Sequence, residues 1–439
     1  MAIIDGLDRS AHEGGRVDRE SRIAIVGAGI GGLVLALELH RMGFSPTIFE
    51  ANKIISPLGV GINILPHASR VLCELGLEQA LTDVSVVTQE SAFFNRFGQF
   101  IYAEPAGRAA GNEYPQFSIH RGDLQRVLLD AVVARLGDAA VVTGRKCTAV
   151  EDIDGAVRVH LDSREDDSPS TFDADLVVAC DGVHSVIRKQ FFPDEGEPKY
   201  SGVMMWRGVT LGQPFLTGAT MARIGWLAGG KLVVYPIRND VDEQGDQLIN
   251  WVAEVETEQR ADREWTREGR LEDFFDSFAD RTFDWLDIPA LIRGSGSILE
   301  YPMVDQDPLP RWNFGRTTLL GDAAHPMVPR GSNGAGQAIL DSTRLATLLS
   351  LSSSIDGALA AYEAERLPAT AAVVEANRSM PPDVVLREVW ERTGDRPFER
   401  IEDVISDDEL LAISDRYRAV AGLLPLSRQD AGASGTTAN

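Results

Sequence analysis

Three glycines and one carboxylate near the N-terminus have the types and spacing of a dinucleotide-binding site. Residues 27–32 read GAGIGG, the apolar run Ile23–Val26 precedes them, and Glu50 lies 18 residues after the last glycine. In this pattern one glycine makes the turn, one lets backbone N–H groups reach a pyrophosphate, and one allows helix to pack on strand. The anion then lies at a helix N-terminus, and the acid binds an adenosine ribose. The predicted site comprises Gly27, Ala28, Gly29, Gly31, Gly32 and Glu50.

Two further apolar segments end at a glycine beside an acid. Residues 174–180 (ADLVVAC) run into Asp181-Gly182, and residues 316–320 (RTTLL) run into Gly321-Asp322. The carboxyl ends of neighbouring parallel strands line one crevice of an open α/β sheet, where cofactors bind. Acids at two more strand ends favour a long ligand whose hydroxyls meet a carboxylate and whose phosphates meet backbone. FAD fits this arrangement better than NAD.

Composition limits the partners and the compartment. The 439 residues carry a formal net charge of −24, which argues against nucleic acid and against anionic membrane surfaces, because both require basic patches. The three cysteines are scattered without a CxxC pair, which argues against a disulfide framework or a zinc site. The first 20 residues lack an apolar signal core. We predict a cytoplasmic protein with no metal, nucleic-acid or membrane partner.

The three motifs together resemble those of a known family, the single-component (group A) FAD-dependent aromatic hydroxylases of the 4-hydroxybenzoate hydroxylase type. The motifs are GAGIGG at 27–32, DGVHSVIR at 181–188 and GDAAHP at 321–326. The similarity covers residues 22 to 375 and is strongest to the phenazine hydroxylase of pyocyanin biosynthesis. It is carried there by PLGVGIN (57–63), YPQFSIHRGDLQ (114–125), MWRGVT (205–210), YPMVD (301–305) and QAILD (337–341).

The resemblance implies cofactors, a reaction and residue roles. Asp322 would bind the ribityl chain, Asp181 would bridge FAD and the nicotinamide donor, and Arg121 would contact the flavin side. NADH or NADPH would act as a transient co-substrate, and O₂ would form a flavin C4a-hydroperoxide that hydroxylates an aromatic or N-heteroaromatic small molecule. The flavin carries this chemistry, so no side chain is predicted to be catalytic.

Further residues are predicted to line the cavity. Gly334 and Ala335 belong to the flavin side, because a helix that starts there would direct free N–H groups at the anionic reduced flavin. Gly321, in the third motif, is also predicted to bind the cofactor. Trp206 and Tyr235 lie on predicted strands, where they either stack on an aromatic substrate or belong to the core. Pro326 is placed in the substrate pocket by its motif.

Arg330 departs from the resembled family, in which an apolar or small residue follows the proline. A cation here would pair with an acidic substrate or gate the flavin. The alternative is a side chain that points to solvent. The departure weakens a direct transfer of the phenazine substrate to this chain.

The predicted fold class is α/β. A discontinuous Rossmann-like FAD-binding domain with a mostly parallel sheet takes residues 21–76, 118–186 and 301–351. A smaller β-rich substrate domain takes residues 77–117 and 187–300, and C-terminal helices take residues 352–424. Disordered tails are predicted at 1–20 and 425–439. Helical segments are predicted at 67–81, with Gly76 as a stop, and near 271–279 and 286–293.

Two other functions remain open at this point. A flavin-dependent halogenase would share the first motif, although the chain has no WxWxIP segment. An FAD-containing protein that binds an aromatic ligand without turnover would keep the site. The protein is predicted to be a monomer or a homodimer.

Overall fold

A computed structural model describes residues 16–55, 59–163, 168–258, 267–379 and 383–420. Its α-helices are α1 (Ile30–Arg41), α2 (Pro66–Glu74), α3 (Glu78–Thr82), α4 (Arg121–Leu136), α5 (Val186–Phe191), α6 (Ile288–Arg293), α7 (Gly334–Leu351), α8 (Ile355–Ser379), α9 (Val384–Thr393) and α10 (Asp407–Val420).

The strands fall into one parallel and several antiparallel groups. They are β1 (Ile23–Val26), β2 (Thr47–Phe49), β3 (Gly61–Ile64), β4 (Ser85–Thr88), β5 (Glu90–Phe94), β6 (Phe100–Pro105), β7 (Gln116–His120), β8 (Val141–Val142), β9 (Arg145–Ile153), β10 (Ala156–Ser163), β11 (Pro169–Ala174), β12 (Leu176–Ala179), β13 (Lys199–Gly212), β14 (Thr220–Ile224), β15 (Lys231–Arg238), β16 (Gln247–Glu256), β17 (Arg267–Glu268), β18 (Thr282–Phe283), β19 (Leu286–Asp287), β20 (Ile298–Asp305), β21 (Asn313–Phe314) and β22 (Thr317–Leu319).

A six-stranded, mostly parallel sheet brings the three sequence motifs together. Its strand order is β21-β22-β12-β1-β2-β8, and only the β21–β22 pair is antiparallel. In the register of this sheet Ala179 pairs with both Val26 and Leu319. Since parallel strands end at the same edge, the residues that follow β1, β12 and β22 meet there. The predicted α/β class with a mostly parallel sheet is confirmed.

A second, eight-stranded sheet supplies the other side of the molecule. Its order is β17-β20-β13-β16-β15-β14-β5-β6, with β14 and β5 parallel and the other pairs antiparallel. A small sheet, β3-β7-β4, is separate from both. The largest hydrophobic core surrounds the parallel sheet, and a second core lies on the eight-stranded sheet around Trp206, Trp251 and Phe274. The predicted domain limits stay a prediction.

Two local predictions can be compared with the structure. The helical segment predicted over 67–81, with Gly76 as a stop, forms α2 and α3, which are separated at Gly76, whose φ is +75°. Residues 271–279 form two short 3-10 turns, Leu271–Asp273 and Phe275–Ser277, and no α-helix. Their aromatic side chains pack individually into the second core, which overrides the helical pattern. The helical C-terminal region is confirmed by α8, α9 and α10.

The ends of the chain complete the picture. The tail predicted at 425–439 and residues 1–15 of the tail predicted at 1–20 lie outside the described residues. Residues 16–20 are described, and Val17 among them is buried and donates its N–H to Ser352 O at 3.0 Å, so the chain packs against the protein already inside the predicted N-terminal tail. Among the described residues, no helix combines the length and the apolarity that crossing a bilayer requires.

Candidate functional site

The GxGxxG segment contains one open glycine between packed ones. Gly27 has φ of +104°, and a Cβ there would lie 2.4 Å from Cys180 O. A Cβ on Gly32 would lie 2.1 Å from Gly27 O, and one on Gly31 would lie 2.9 Å from a methyl carbon of Leu320. A Cβ on Gly29, by contrast, would meet no atom within 4 Å. The turn and the helix packing therefore account for the other glycines, and the open space at Gly29 is free for a ligand.

Glu50 supports this turn through two hydrogen bonds. Its Oε2 accepts from Ala28 N at 3.0 Å, and its Oε1 accepts from Asn52 N at 2.7 Å. The side chain is half-buried and does not line the main cavity. Its role at an adenosine ribose stays a prediction.

The second motif ties the second strand end to the third. Asp181 Oδ2 accepts from Val186 N at 2.8 Å, and burial raises the pKa of this carboxyl although hydrogen bonds oppose the rise. The buried Arg188 guanidinium donates to Ala323 O at 3.0 Å and to Ala324 O at 2.9 Å. Sequence reasoning missed this clamp, because the motif shows that Arg188 is present but not what it contacts.

A buried charge network backs the third motif. Asp341 Oδ2 lies 2.6 Å from His325 Nε2 and accepts from Gly321 N at 3.3 Å, and Asp341 Oδ1 accepts from Arg366 Nε at 2.6 Å. Burial acts to raise the pKa of Asp341, but the charges of Arg366 and His325 outweigh it and the pKa is lowered. His325 is therefore part of the support behind the third motif. Asp322, by contrast, is exposed and lines the cavity.

Two helix N-termini open on the same cavity. Helix α1 begins after Gly29, which has no side chain, and α7 begins after Asn333, whose side chain makes no capping hydrogen bond to the helix. The first N–H groups of a helix lack partners within it and attract negative charge. Two such ends beside an exposed carboxylate suit a ligand that carries phosphates, hydroxyls and an anionic ring. The residues present fit FAD.

Most of the predicted site residues line one cavity of about 370 Å³. One of its walls, here called the glycine wall, is made by Gly29, Gly31, Gly321, Asp322, Gly334 and Ala335. The predicted residues Arg121, Tyr235 and Arg330 also line the cavity. Gly27, Ala28, Gly32 and Asp181 do not line it. Pro326 lines an adjoining cavity of about 210 Å³, which shares Asp322 with the first.

The prediction that Trp206 lines the substrate pocket needs correction. It is fully buried, stacks on Phe274 with ring centroids 4.9 Å apart, and donates from Nε1 to Glu300 Oε2 at 2.9 Å. It lines neither cavity. Its neighbours Met205 and Arg207 line both, because successive strand residues point to opposite faces. The alternative that Trp206 belongs to the core is the one the structure supports.

The second wall of the cavity, here called the charged wall, was not predicted from the sequence as a unit. It consists of Arg207, Arg223, Lys231, Glu254 and Asp383. Lys231 Nζ lies 2.8 Å from Glu254 Oε2 and also contacts Asp383, whose Oδ1 lies 3.2 Å from Arg223 Nε. Lys231 and Glu254 are opposite each other on β15 and β16, a pairing that strand register decides. These four residues balance one another in charge.

Arg207 and Arg330 differ from these four residues in having no carboxylate partner among the described residues. Arg207 Nη2 donates to Gly61 O at 2.5 Å, and Tyr235 Oη donates to the same carbonyl at 2.8 Å. Within the described ranges, no carboxylate oxygen lies within 4 Å of either guanidinium. Asp383 is a carboxylate whose pKa the charge of Arg330 affects. Burial acts to raise the pKa of Asp383, but Lys231 and Arg223 lower it, and the charge of Arg330 adds to that lowering. The cavity therefore has an excess of positive charge.

Comparison with known proteins agrees with this site. A family model for the FAD binding domain matches residues 20–377. The chain is 42% identical to phenazine 1,6-dicarboxylic acid hydroxylase PhzS of Lysobacter antibioticus, over 91% of this chain and 97% of that protein. It is 33% identical to 3-amino-4-hydroxybenzoate 2-monooxygenase of Streptomyces cremeus, over 81% and 86%. HpxO of Klebsiella pneumoniae, solved with FAD and uric acid, has the same fold, with a TM-score of 0.67 and 21% identity over 94% and 95%.

These relatives are hydroxylases and monooxygenases, and they give no support to the halogenase alternative. Bound FAD supplies the redox chemistry that NAD(P)H and O₂ require, while the protein binds, orients and shields the reactants. The chain belongs to the FAD-binding aromatic hydroxylase family and is an FAD-dependent monooxygenase that uses NAD(P)H and O₂ to hydroxylate an aromatic or N-heteroaromatic small molecule.

Proposed function

We propose that the substrate is an N-heteroaromatic carboxylic acid of the phenazine type, and that Arg207 and Arg330 bind its carboxylate. The observation that carries this proposal is the charge of the cavity, where these two guanidinium groups lack a carboxylate partner among the described residues. An unpaired cation in a partly buried site is costly, and an Arg–carboxylate pair offsets that cost. The relative at 42% identity is named for a phenazine dicarboxylic acid. Such an acid would give Arg330 the acidic partner predicted for it, so the cation at this position counts against an uncharged phenazine and not against a phenazine acid.

The other residues of the cavity then take complementary roles. The N-terminus of α1 at Gly29 receives the FAD pyrophosphate, Glu50 the adenosine ribose, and Asp322 the ribityl hydroxyls. The N-terminus of α7 at Gly334 and Ala335 faces the pyrimidine edge of the flavin. Arg121 contacts the flavin, Asp181 lies between FAD and the nicotinamide donor, and Tyr235 lies against the substrate. No side chain is proposed as a catalytic base.

The test begins with the wild-type enzyme. Phenazine-1-carboxylate and phenazine-1,6-dicarboxylate should stimulate NAD(P)H consumption and give a product with the mass of a hydroxylated ring. Unsubstituted phenazine should stimulate it far less, because it has no group to pair with the arginines. Equal stimulation by all three compounds would argue against recognition of the acid.

A pair of variants tests Arg330 directly. Arg330→Met should raise the Michaelis constant for the acid by roughly tenfold, which corresponds to about 1.4 kcal/mol for a lost charge-assisted hydrogen bond. Arg330→Lys, which keeps the charge, should restore part of the loss. FAD affinity should not change in either variant. A Michaelis constant that is unchanged in Arg330→Met would remove Arg330 from the proposal.

We also propose that the protein acts in the cytoplasm. Its three cysteines are unpaired in the structure, and its reaction draws on NAD(P)H, both of which suit a reducing compartment. The prediction of a monomer or homodimer stays open, and light scattering on the FAD-loaded protein measures it.

A further inference from the structure

A single glycine is held by three strands of the eight-stranded sheet. Gly61 N donates to Asn250 Oδ1 at 2.7 Å, and Gly61 O accepts from Tyr235 Oη at 2.8 Å and from Arg207 Nη2 at 2.5 Å. The three side chains come from β16, β15 and β13, which are consecutive in that sheet. Gly61 itself belongs to β3, in the separate small sheet. The backbone N–H and C=O of Gly61 are therefore both hydrogen-bonded to side chains of the eight-stranded sheet.

Only a glycine permits this approach. A Cβ on Gly61 would lie 2.7 Å from Asn250 Cβ and 2.7 Å from Ile237 Cγ2, closer than real Cβ contacts come. The backbone of β3 is thus in direct contact with the larger sheet. The bond to Asn250 also comes at a cost, because the Nδ2 of this buried amide has no partner among the described residues. An aliphatic side chain would avoid that cost but would leave the buried Gly61 N–H without an acceptor, so the hydrogen bond to Gly61, and not packing alone, explains an asparagine here.

The other end of the same strip of backbone contacts Arg121. Gly61 is opposite His120 in the β3–β7 ladder, and Arg121 N donates to Val60 O at 3.0 Å. A Cβ on Gly59 would lie 3.5 Å from Arg121 Cβ. Residues 59–61 therefore contact the eight-stranded sheet on one side and Arg121 on the other. Because Arg121, Tyr235 and Arg207 all line the cavity, the position of this strip sets the spacing between them.

We propose that Asn250 is a positioning residue that fixes, through Gly61, the distance between the flavin and the substrate. Asn250 does not line the cavity, so it acts on the reactants only through the backbone it holds. In coupled turnover, one NAD(P)H, one proton and one O₂ hydroxylate one substrate and release one water. When the spacing is wrong, the same two electrons and two protons reduce O₂ to H₂O₂ and the substrate is unchanged. The proposal rests on the monooxygenase activity and not on the identity of the acid.

The first measurement needs neither FAD nor substrate. In FAD-free Asn250→Ala, backbone hydrogen exchange over residues 59–64 should be faster than in the wild type, because Gly61 N–H loses its acceptor. Asn250→Asp keeps an acceptor oxygen and should restore protection. Thr210→Val is the matched control: it removes a buried hydroxyl of β13 that donates to Leu291 O at 2.8 Å, accepts from Trp251 Nε1 at 3.2 Å and makes no hydrogen bond to Gly61. Unchanged exchange in Asn250→Ala would overturn the proposal.

The second measurement uses the FAD-loaded enzyme and any aromatic substrate that the wild type hydroxylates. Asn250→Ala should release roughly threefold more H₂O₂ per NAD(P)H, while the Michaelis constant stays within about twofold, since small displacements of reacting groups reduce rates strongly. Asn250→Asp should recover coupling, and Thr210→Val should match the wild type. Equal uncoupling in Thr210→Val, or wild-type coupling in Asn250→Ala, would refute the role. If the wild type does not hydroxylate phenazine carboxylates, that result would contradict the proposed substrate and would not bear on the role of Asn250.

Discussion

The two walls of the cavity recognise their ligands by different physical means. The glycine wall presents backbone N–H groups, two helix N-termini and one exposed carboxylate, Asp322. The charged wall presents long side chains from β13, β14, β15 and β16, together with Asp383. Backbone recognition depends on a few glycines and leaves the remaining sequence free, which suits a cofactor shared by a family. Side-chain recognition changes with single substitutions, which suits a substrate that differs between members.

The largest effect should come from adding a methyl group to a glycine of the GxGxxG turn, where Gly29 belongs to the glycine wall and Gly32 does not line the cavity. Gly32→Ala places a methyl group 2.1 Å from Gly27 O, in backbone that cannot move aside, so we expect little or no folded protein. Gly29→Ala places its methyl group in open space. It should leave the FAD-free protein as stable as the wild type but weaken FAD binding roughly tenfold or more, about 1.4 kcal/mol.

Thermal unfolding of the FAD-free proteins and FAD titration separate these two variants. The comparison between the walls fails if Gly29→Ala binds FAD like the wild type, because backbone approach would then not be the basis of recognition.

The support behind the glycine wall should give the next largest effect. Asp341→Asn leaves the buried Arg366 guanidinium without a counter-charge, which we expect to reduce the free energy of unfolding by about 3–5 kcal/mol. Glu365→Gln is the matched control next to Arg366. It breaks only a surface pair, with Arg344 Nε 2.7 Å from Glu365 Oε2, and should change stability by less than about 1 kcal/mol.

This effect should also depend on pH in a defined direction. The folded-state pKa of Asp341 is lowered, so the carboxylate stabilises the protein above its unfolded pKa of about 4 and loses this contribution as the pH falls further. The difference in stability between wild type and Asp341→Asn should therefore shrink below about pH 4. Denaturant unfolding at several pH values measures it, and a constant difference would contradict the assigned protonation.

The difference between the two walls also explains which site residues could be predicted from the sequence. The glycine wall is encoded locally, because each strand is followed at once by its glycine and acid, and parallel strands end at a common edge. The charged wall depends on strand register and on contacts far apart in sequence. Lys231 meets Asp383 across 152 residues, and nothing in either neighbourhood indicates the partner.

Trp206 shows a second limit. The alternation of β13 was visible, but which of its faces meets the cavity is decided by how the two sheets pack. Met205 and Arg207 face the cavity, and the tryptophan between them faces the core. A preference for aromatic residues as ligand contacts therefore selected the wrong face.

Within the charged wall, Asp383→Asn should have a moderate effect. Lys231 keeps Glu254 as a partner, while Arg223 loses its carboxylate, so we expect a loss of about 1–3 kcal/mol in the free energy of unfolding. FAD affinity should stay within about twofold, because the glycine wall is untouched. Thermal unfolding and FAD titration of this one variant measure both. A large loss of FAD affinity would show that the two walls are not independent.

The smallest effect concerns Cys180, the thiol that lies at the cavity beside the glycine wall. Burial raises the pKa of Cys180 well above its ordinary value, and burial also raises the pKa of Cys73 and of Cys147 to about 12. The thiolate is the reactive form of cysteine, and a raised pKa keeps all three side chains in the thiol form at pH 8. Iodoacetamide should therefore leave all three cysteines unmodified in the folded protein and alkylate all three after unfolding, as read by peptide mass. Rapid alkylation of Cys180 in the folded protein would show that a reactive thiol lies beside the glycine wall, and recognition there could no longer be attributed to backbone and a single carboxylate.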